Sequence, residues 1–201
     1  MPSDVEVPFI LPQTPSAPDL TVDDNGVTYM IVCAGGPMTM TLLRLQVELD
    51  TGRRVSVIAT PRAAAWFHDY GIDPIIERMT GWPARSDLLT PTAPTFDPPG
   101  SSVLVSPCTL NTLTKWAAAH SDNLAISLLC EAVGRGVPTR AELSLSPPYA
   151  SLPAAGHALS RLSELGVVLC RAYGTAEPSH LPPVPNAVAT QLEAMHRRPT
   201  D

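Results

Sequence analysis

A doubly wound α/β fold built on a single parallel sheet is the architecture this sequence predicts, and three observations predict it. Short apolar runs rich in β-branched residues alternate with longer stretches whose apolar period is about 3.6. The first run, Tyr29-Met-Ile-Val-Cys-Ala34, is apolar throughout, as expected of a strand covered on both faces. Each of the first three runs leads at once into a turn of glycine, proline or hydroxyl residues that opens a helix: Gly35-Gly36-Pro37, Thr60-Pro61, and Ser106 to Thr112. Such turns gather at the carboxyl ends of the strands, where open parallel sheets bind ligands.

After Gly35-Gly36-Pro37, Met40, Leu42, Leu43, Leu45, Val47 and Leu49 occupy one helix, which Thr51-Gly52 ends. Arg54 to Ala59 is the second strand. Thr60 then stands as an N-cap, with Pro61 at the first helical position, where the missing N–H has no intrahelical partner to lose. Residues 69–100 carry no clear period, and Pro91, Pro94, Pro98, Pro99 and Gly100 predict a long loop. Val103 to Val105 is a short third strand and Ser106 to Thr112 a turn. One helix from residue 113 to 129 places Trp116, Ala117, Leu124, Leu128 and Leu129 near one face. Gly134-Arg-Gly-Val-Pro138 closes that element. Ala141 to Leu145 is a fourth strand, Ser146 to Leu152 a loop, Ala154 to Leu165 a helix stopped by Gly166, and Val167 to Cys170 a fifth strand. Three regions follow: a Pro-rich arm over 1–26, one domain over 27–172, and a Pro-rich tail over 173–201 with a short helix from Asn186 to His196.

The stretch from Val103 to Leu124 holds the most specific chemistry. A strand, a polar turn and a helix start collect hydroxyls and backbone N–H groups where an anion is favoured. Ser, Thr and Asn are also common at any capped helix start. Gly35-Gly36-Pro37 lets a ligand approach the backbone, but it is not Gly-x-Gly-x-x-Gly, so a dinucleotide fingerprint is absent. Register says more than any one turn. Ser106-Pro-Cys-Thr-Leu-Asn-Thr112 resembles the Ala-Pro-Ala-Ser-Ala-Asn-Thr motif of the homo-oligomeric flavin-containing cysteine decarboxylases. Lys115-Trp-Ala-Ala-Ala-His-Ser-Asp-Asn-Leu124 resembles the Lys-Ile-Ala-x-Gly-Ile-Ala-Asp-Asn-Leu that follows it there. Pro153 to Leu169 is similar in spacing to a later helix and strand of that superfamily. The group includes phosphopantothenoylcysteine decarboxylases, lantibiotic peptide decarboxylases and, more distantly, flavin prenyltransferases, which share the Pro107-Cys108 pair.

The resemblance implies a Rossmann-like or flavodoxin-like sheet and FMN as cofactor. It also implies a homo-oligomer, a trimer or an assembly of trimers, with the cofactor at a subunit boundary. It places Gly35, Gly36, Pro37, Thr60, Ala63, Ser106, Pro107, Cys108, Thr109, Asn111 and Thr112 around the cofactor, Thr60 on its phosphate. The implied activity is oxidative decarboxylation of a C-terminal cysteine in a peptide or a small cysteine conjugate. Two features depart from the pattern. The family's histidine base would fall near Ala93, where no histidine stands. Its Pro-x-Met-Asn-x-x-Met-Trp substrate clamp falls on Leu143 to Ala150, leaving Ser146 and Tyr149 as substrate-binding candidates. Both can donate hydrogen bonds to a carboxylate, but neither replaces an imidazole as a base near neutral pH. Two alternatives stay open: a flavin prenyltransferase-like enzyme, and a non-catalytic partner subunit that keeps the fold without the base and clamp.

Composition narrows the remaining classes. With 44% hydrophobic and 16% charged residues, the chain is of globular rather than disordered type. A net charge of −6 argues against nucleic acid and against a basic membrane patch. Cys33, Cys108, Cys130 and Cys170 lie far apart without metal-site spacing, so no metal is expected. Cys33 and Cys170 read as buried small hydrophobes, and Cys108 as either a ligand contact or a space filler. An acidic, Pro-rich start unlike a signal peptide, and the lack of an apolar run of about 18 residues, lead to the expectation of a cytoplasmic protein.

Overall fold

Five parallel strands, β1 (Val27–Val32), β2 (Arg54–Ala59), β3 (Gly100–Cys108), β4 (Thr139–Leu143) and β5 (Val168–Arg171), form one sheet in the order β2-β1-β3-β4-β5. The computed structural model describes residues 26–171 apart from 89, 91, 97 and 98. The N-terminal arm and the C-terminal tail, with its expected helix from Asn186 to His196, lie outside the described residues. The strand order is the flavodoxin-like one. The chain leaves β1 toward β2 on one side and returns to β3 on the other, which opens a crevice at the carboxyl ends of β1 and β3.

Helices cover both faces, which is why the strand runs are apolar on both sides. Helices α1 (Met38–Asp50), α2 (Pro61–Asp69) and α3 (Asp73–Thr80) contribute Leu42, Leu45, Ala63, Phe67, Ile72 and Ile76 to a core against Met30, Val32, Val57 and Leu104. Helices α4 (Leu110–Ala117), α5 (Leu124–Gly134) and α7 (Pro153–Glu164) bury Leu113, Trp116, Leu128, Leu129 and Leu159 against Tyr29, Ile31, Val103, Val105 and Ala141. Alternate residues of β1 and β3 therefore serve opposite cores. Each fully buried aliphatic or aromatic side chain is worth about 1.5–3 kcal/mol, so the two cores dominate the stability.

Four expectations are corrected. First, the unpatterned region contains α3, whose Asp73-Pro74 start reads locally as a turn; Ile75 and Ile76 are nevertheless buried, and Gly81 ends the helix at φ +80°. The chain then runs along the outer edge of β2, where Arg85 accepts from Ala59 N–H at 2.7 Å and donates its own N–H to Val57 at 3.0 Å. Second, β3 spans nine residues rather than three, so Ser106 to Cys108 are strand and the turn shrinks to the approach to Thr109. Third, the single helix over 113–129 is two, broken at residues 118–123. Ala119 there takes a left-handed conformation at φ 52°, and Asn123 accepts from Ile126 N–H at 3.2 Å to cap α5. Fourth, the loop after β4 contains a one-turn helix, α6 (Pro147–Ala150).

Candidate functional site

Three turns meet at the carboxyl edge of the sheet. Gly35 to Pro37 follows β1, Thr60 follows β2, and Thr109 follows β3, whose last two residues are Pro107 and Cys108, each leading directly into α1, α2 or α4. The unpaired N–H groups of three helix starts therefore lie along one edge, where they favour an anion. Pro37, Thr60 and Thr109 are the N-caps, and none of them makes a side-chain cap bond to its own helix. Thr60 is tied to the crevice through its backbone N–H, which donates to Val32 O at 2.9 Å.

Contact between the turns is tight. A Cβ placed on Gly35 would lie 2.6 Å from Thr109 Cγ2, 3.7 Å from Pro107 and 3.9 Å from Ser144 Oγ, so no side chain fits there unless Thr109 shifts. Gly36 is the opposite case. It adopts φ +85°, and a Cβ on it would meet nothing within 4 Å, so its backbone faces open space. Beside it lies a cavity of about 350 Å³, lined by Gly36, Pro37, Met38, Leu42, Trp66 and Ile72 among others. That volume falls within the range of small-ligand sites.

Not every residue named from the sequence faces this space. Ala63 is fully buried in the α1–α3 core, under the α2 start rather than at its surface. Ser106 is buried within β3, and its hydroxyl donates to Glu142 Oε2 at 2.7 Å. Cys108 is fully buried in the other core, so it fills space, and burial followed by the nearby Cys33 thiol pushes its pKa well up. Cys33 donates from Sγ to Thr112 Oγ1 at 3.1 Å. Burial raises its pKa too, with the Thr112 hydroxyl and then the Thr109 backbone and hydroxyl offsetting part of the rise. Thr112 is thus committed beneath the turn. Asn111 is exposed on the first turn of α4, and Gly36, Pro37, Thr60, Pro107 and Thr109 remain at the edge itself.

Ser146 and Tyr149 stand in the α6 loop at the carboxyl end of β4, both exposed, Tyr149 at 56%. Ser144, just before them, joins β3 through its N–H to Cys108 O at 2.9 Å. Ala93 lies in the long loop, and His68, His120 and His157 are all exposed. Cys170 is half-buried rather than buried, with Sγ 3.6 Å from Ala141 O. Among the described residues, no three His, Cys, Asp or Glu side chains come together as a metal site, and no helix is long and apolar enough to cross a membrane. Trp66 at the cavity wall went unassigned in the sequence; its place six residues after the Thr60 cap was the available signal.

The Flavoprotein family model matches residues 19–148, which contain all three turns. The chain belongs to the Flavoprotein family. Membership carries the expectation of a flavin cofactor. Solved structures agree on the fold. The FMN-dependent cysteine decarboxylase SpaF superposes with a TM-score of 0.61 at 18% identity, covering 73% of this chain and 83% of that one. TvaF, an FMN-dependent cysteine decarboxylase from thioviridamide biosynthesis, gives 0.58 at 20% identity over 86% of this chain and 99% of its own. A phenylacrylic acid decarboxylase from Aquifex aeolicus gives 0.58 at 17% identity over 88% and 99%. No curated protein sequence matches this chain.

Proposed function

We propose that the protein binds FMN at the β1/β3 crevice and acts as an oxidative decarboxylase of a C-terminal cysteine in a peptide or small cysteine conjugate. The observation that carries this reading is the convergence of three helix-starting turns at the carboxyl edge of the sheet, with Gly35 packed on Thr109 and Gly36 open beside a cavity walled by Trp66, in a chain of the Flavoprotein family. The residues fit the cofactor. Backbone N–H groups of α1, α2 and α4 and the Thr60 hydroxyl suit a phosphate, Gly36 admits it close to the chain, and the apolar wall of Trp66, Met38 and Leu42 suits a flat ring system. When bound, FMN supplies a two-electron oxidant.

The protein's own part is to bind and orient. Ser146 and the Tyr149 phenol donate to the substrate carboxylate from the α6 loop. The substrate's cysteine gives up two hydrogens across its Cβ–S bond, and its carboxylate then leaves as CO₂. No imidazole from the described residues serves as base, so turnover falls short of a histidine-equipped enzyme by about 10²–10⁴-fold. The assembly is a homo-oligomer, a trimer or built from trimers, in which a second subunit completes the pocket over Asn111.

The test is to load purified protein with FMN, confirm the flavin absorbance and the mass of the assembly by light scattering, and then incubate it with cysteine-ended peptides. A product lighter by one CO₂ and two hydrogens supports the reading. Unchanged peptides with FMN bound favour the second reading, a partner subunit without catalysis, which the missing histidine recommends. A protein that takes up no FMN overturns the decarboxylase reading and leaves only a flavin-less partner subunit.

A further inference from the structure

Arg44, Glu142 and Ser106 form a buried chain that links α1, β4 and β3 directly beneath the candidate site. Arg44 Nε donates to Glu142 at 2.8 and 3.0 Å, and Ser106 Oγ donates to the same carboxylate at 2.7 Å. All three are at least nine-tenths buried. Arg44 also pairs with Glu48 one turn along α1, and Glu48 with Arg53 at 2.8 Å and Arg140 at 3.2 Å. Arg44 Nη1 is buried without a partner, so its guanidinium is spent on the two carboxylates at the cost of one donor.

The position of this chain matters more than its strength. Ser106 immediately precedes Pro107 to Thr109, the turn that touches Gly35. Arg44 lies about two helical turns from the start of α1, which Gly35 to Pro37 opens. Glu142 of β4, accepting both from Arg44 Nε and from Ser106 Oγ, therefore ties the helix that follows one cofactor turn to the strand that leads into the other. A buried ion pair seldom adds net stability over apolar replacements, but it does fix geometry wherever its partners must be met. Apolar side chains of similar size would hold the same elements together without setting their register.

We infer that Arg44, Glu142 and Ser106 are positioning residues that set the gap between the β1 and β3 turns, and so set FMN affinity without touching the cofactor. The inference rests on the FMN reading above. Its test compares wild type, Ser106→Ala, Ser106→Thr and Glu142→Gln by FMN titration, by the visible spectrum of bound flavin, and by thermal melting of the FMN-free protein. Ser106→Ala leaves the Arg44–Glu142 pair intact, so it decides the matter if Glu142→Gln fails to fold. The expected result for Ser106→Ala is a five- to twentyfold rise in the FMN dissociation constant and a changed flavin band, together with a lower melting temperature of the FMN-free protein, because the buried Glu142 carboxylate loses a donor. Ser106→Thr, which restores the hydroxyl, should recover most of the affinity. A lowered melting temperature with unchanged FMN affinity, or no rescue by threonine, overturns the inference. Failure of the wild type to bind FMN at all would instead sink the functional reading.

Discussion

Gly35 shows how one missing methyl group shapes the site. A Cβ there would sit 2.6 Å from Thr109 Cγ2, well inside van der Waals contact. Gly35→Ala therefore makes either the Thr109 side chain turn away or the β1 and β3 turns part. Overpacking of this kind costs about 1–3 kcal/mol. The expected outcome is a lower urea midpoint together with loss of FMN retention, read from denaturation curves and from the flavin content of the purified variant. Stability lost with full FMN content would mean that the turns can part without consequence. The cysteines illustrate the opposite lesson. Cys108 stands where the sequence motif invites a chemical role and Cys33 reads as a buried small hydrophobe, and burial holds both thiols protonated at neutral pH. Their pairing with Thr112 and the core explains them as packing residues. The burial of Ser106, Ala63 and Thr112 was equally illegible from motif matching, because a motif records position along the chain and not which way a side chain turns.

The break between α4 and α5 is the clearest departure at the level of elements. An unbroken helix over 113–129 satisfies the apolar period, since Trp116, Leu124, Leu128 and Leu129 are all buried. The period survives the break because both short helices cover the same face of the sheet. What interrupts them is local: Ala119 turns left-handed, the Lys115 ammonium pairs with Asp122, and Asn123 caps the second helix. A non-glycine residue in that conformation costs roughly 1–2 kcal/mol. Ala119→Gly should accordingly raise stability by about 1 kcal/mol, after the loss from a freer unfolded chain. Thermal or urea unfolding checks it, and a variant less stable than wild type would contradict the assignment. Helix α3 escaped notice for a related reason. Eight residues starting at Asp73-Pro74 are too few for periodicity to stand out against turn-forming residues.

At the scale of the molecule, the charges buried between α1 and β4 make stability depend on pH. Burial opposes ionisation of Glu48, but Arg44, Arg53 and Arg140 outweigh it and hold its pKa below the ordinary value. A group whose pKa is depressed by folding contributes stability above its unfolded pKa and loses it as pH falls through the folded one. Arg44 is shifted the other way: burial lowers its pKa, Glu142 and Glu48 raise it further, and its contribution would be lost only at strongly alkaline pH. The Glu48 contribution should therefore be fully present and independent of pH near neutrality, and unfolding free energy should fall as pH drops below about 4.3, the ordinary Glu value. Urea midpoints measured across that range, for wild type and Glu48→Gln, check the sign. An equally steep acid loss in the variant would assign the effect to other carboxylates.

The sequence alone determined the parallel α/β architecture, the five strands and the three turns at their carboxyl ends. Those depend on local patterns: continuous apolar strands, helical periods, and caps that follow directly in the chain. It also determined the family, because Pro107, Asn111, Thr112, Lys115, Asp122 and Asn123 stand in fixed spacing. Only the tertiary structure decided the flavodoxin-like order, the cavity between Trp66 and the start of α1, and the link from Arg44 to Glu142. Nothing local in the sequence marks the charged helix residues Arg44 and Glu48 as buried. They are buried because α1 lies where Glu142 of β4 comes within reach, across 98 residues of chain. Contacts of that range follow from how strands are ordered in the sheet, which no local period encodes.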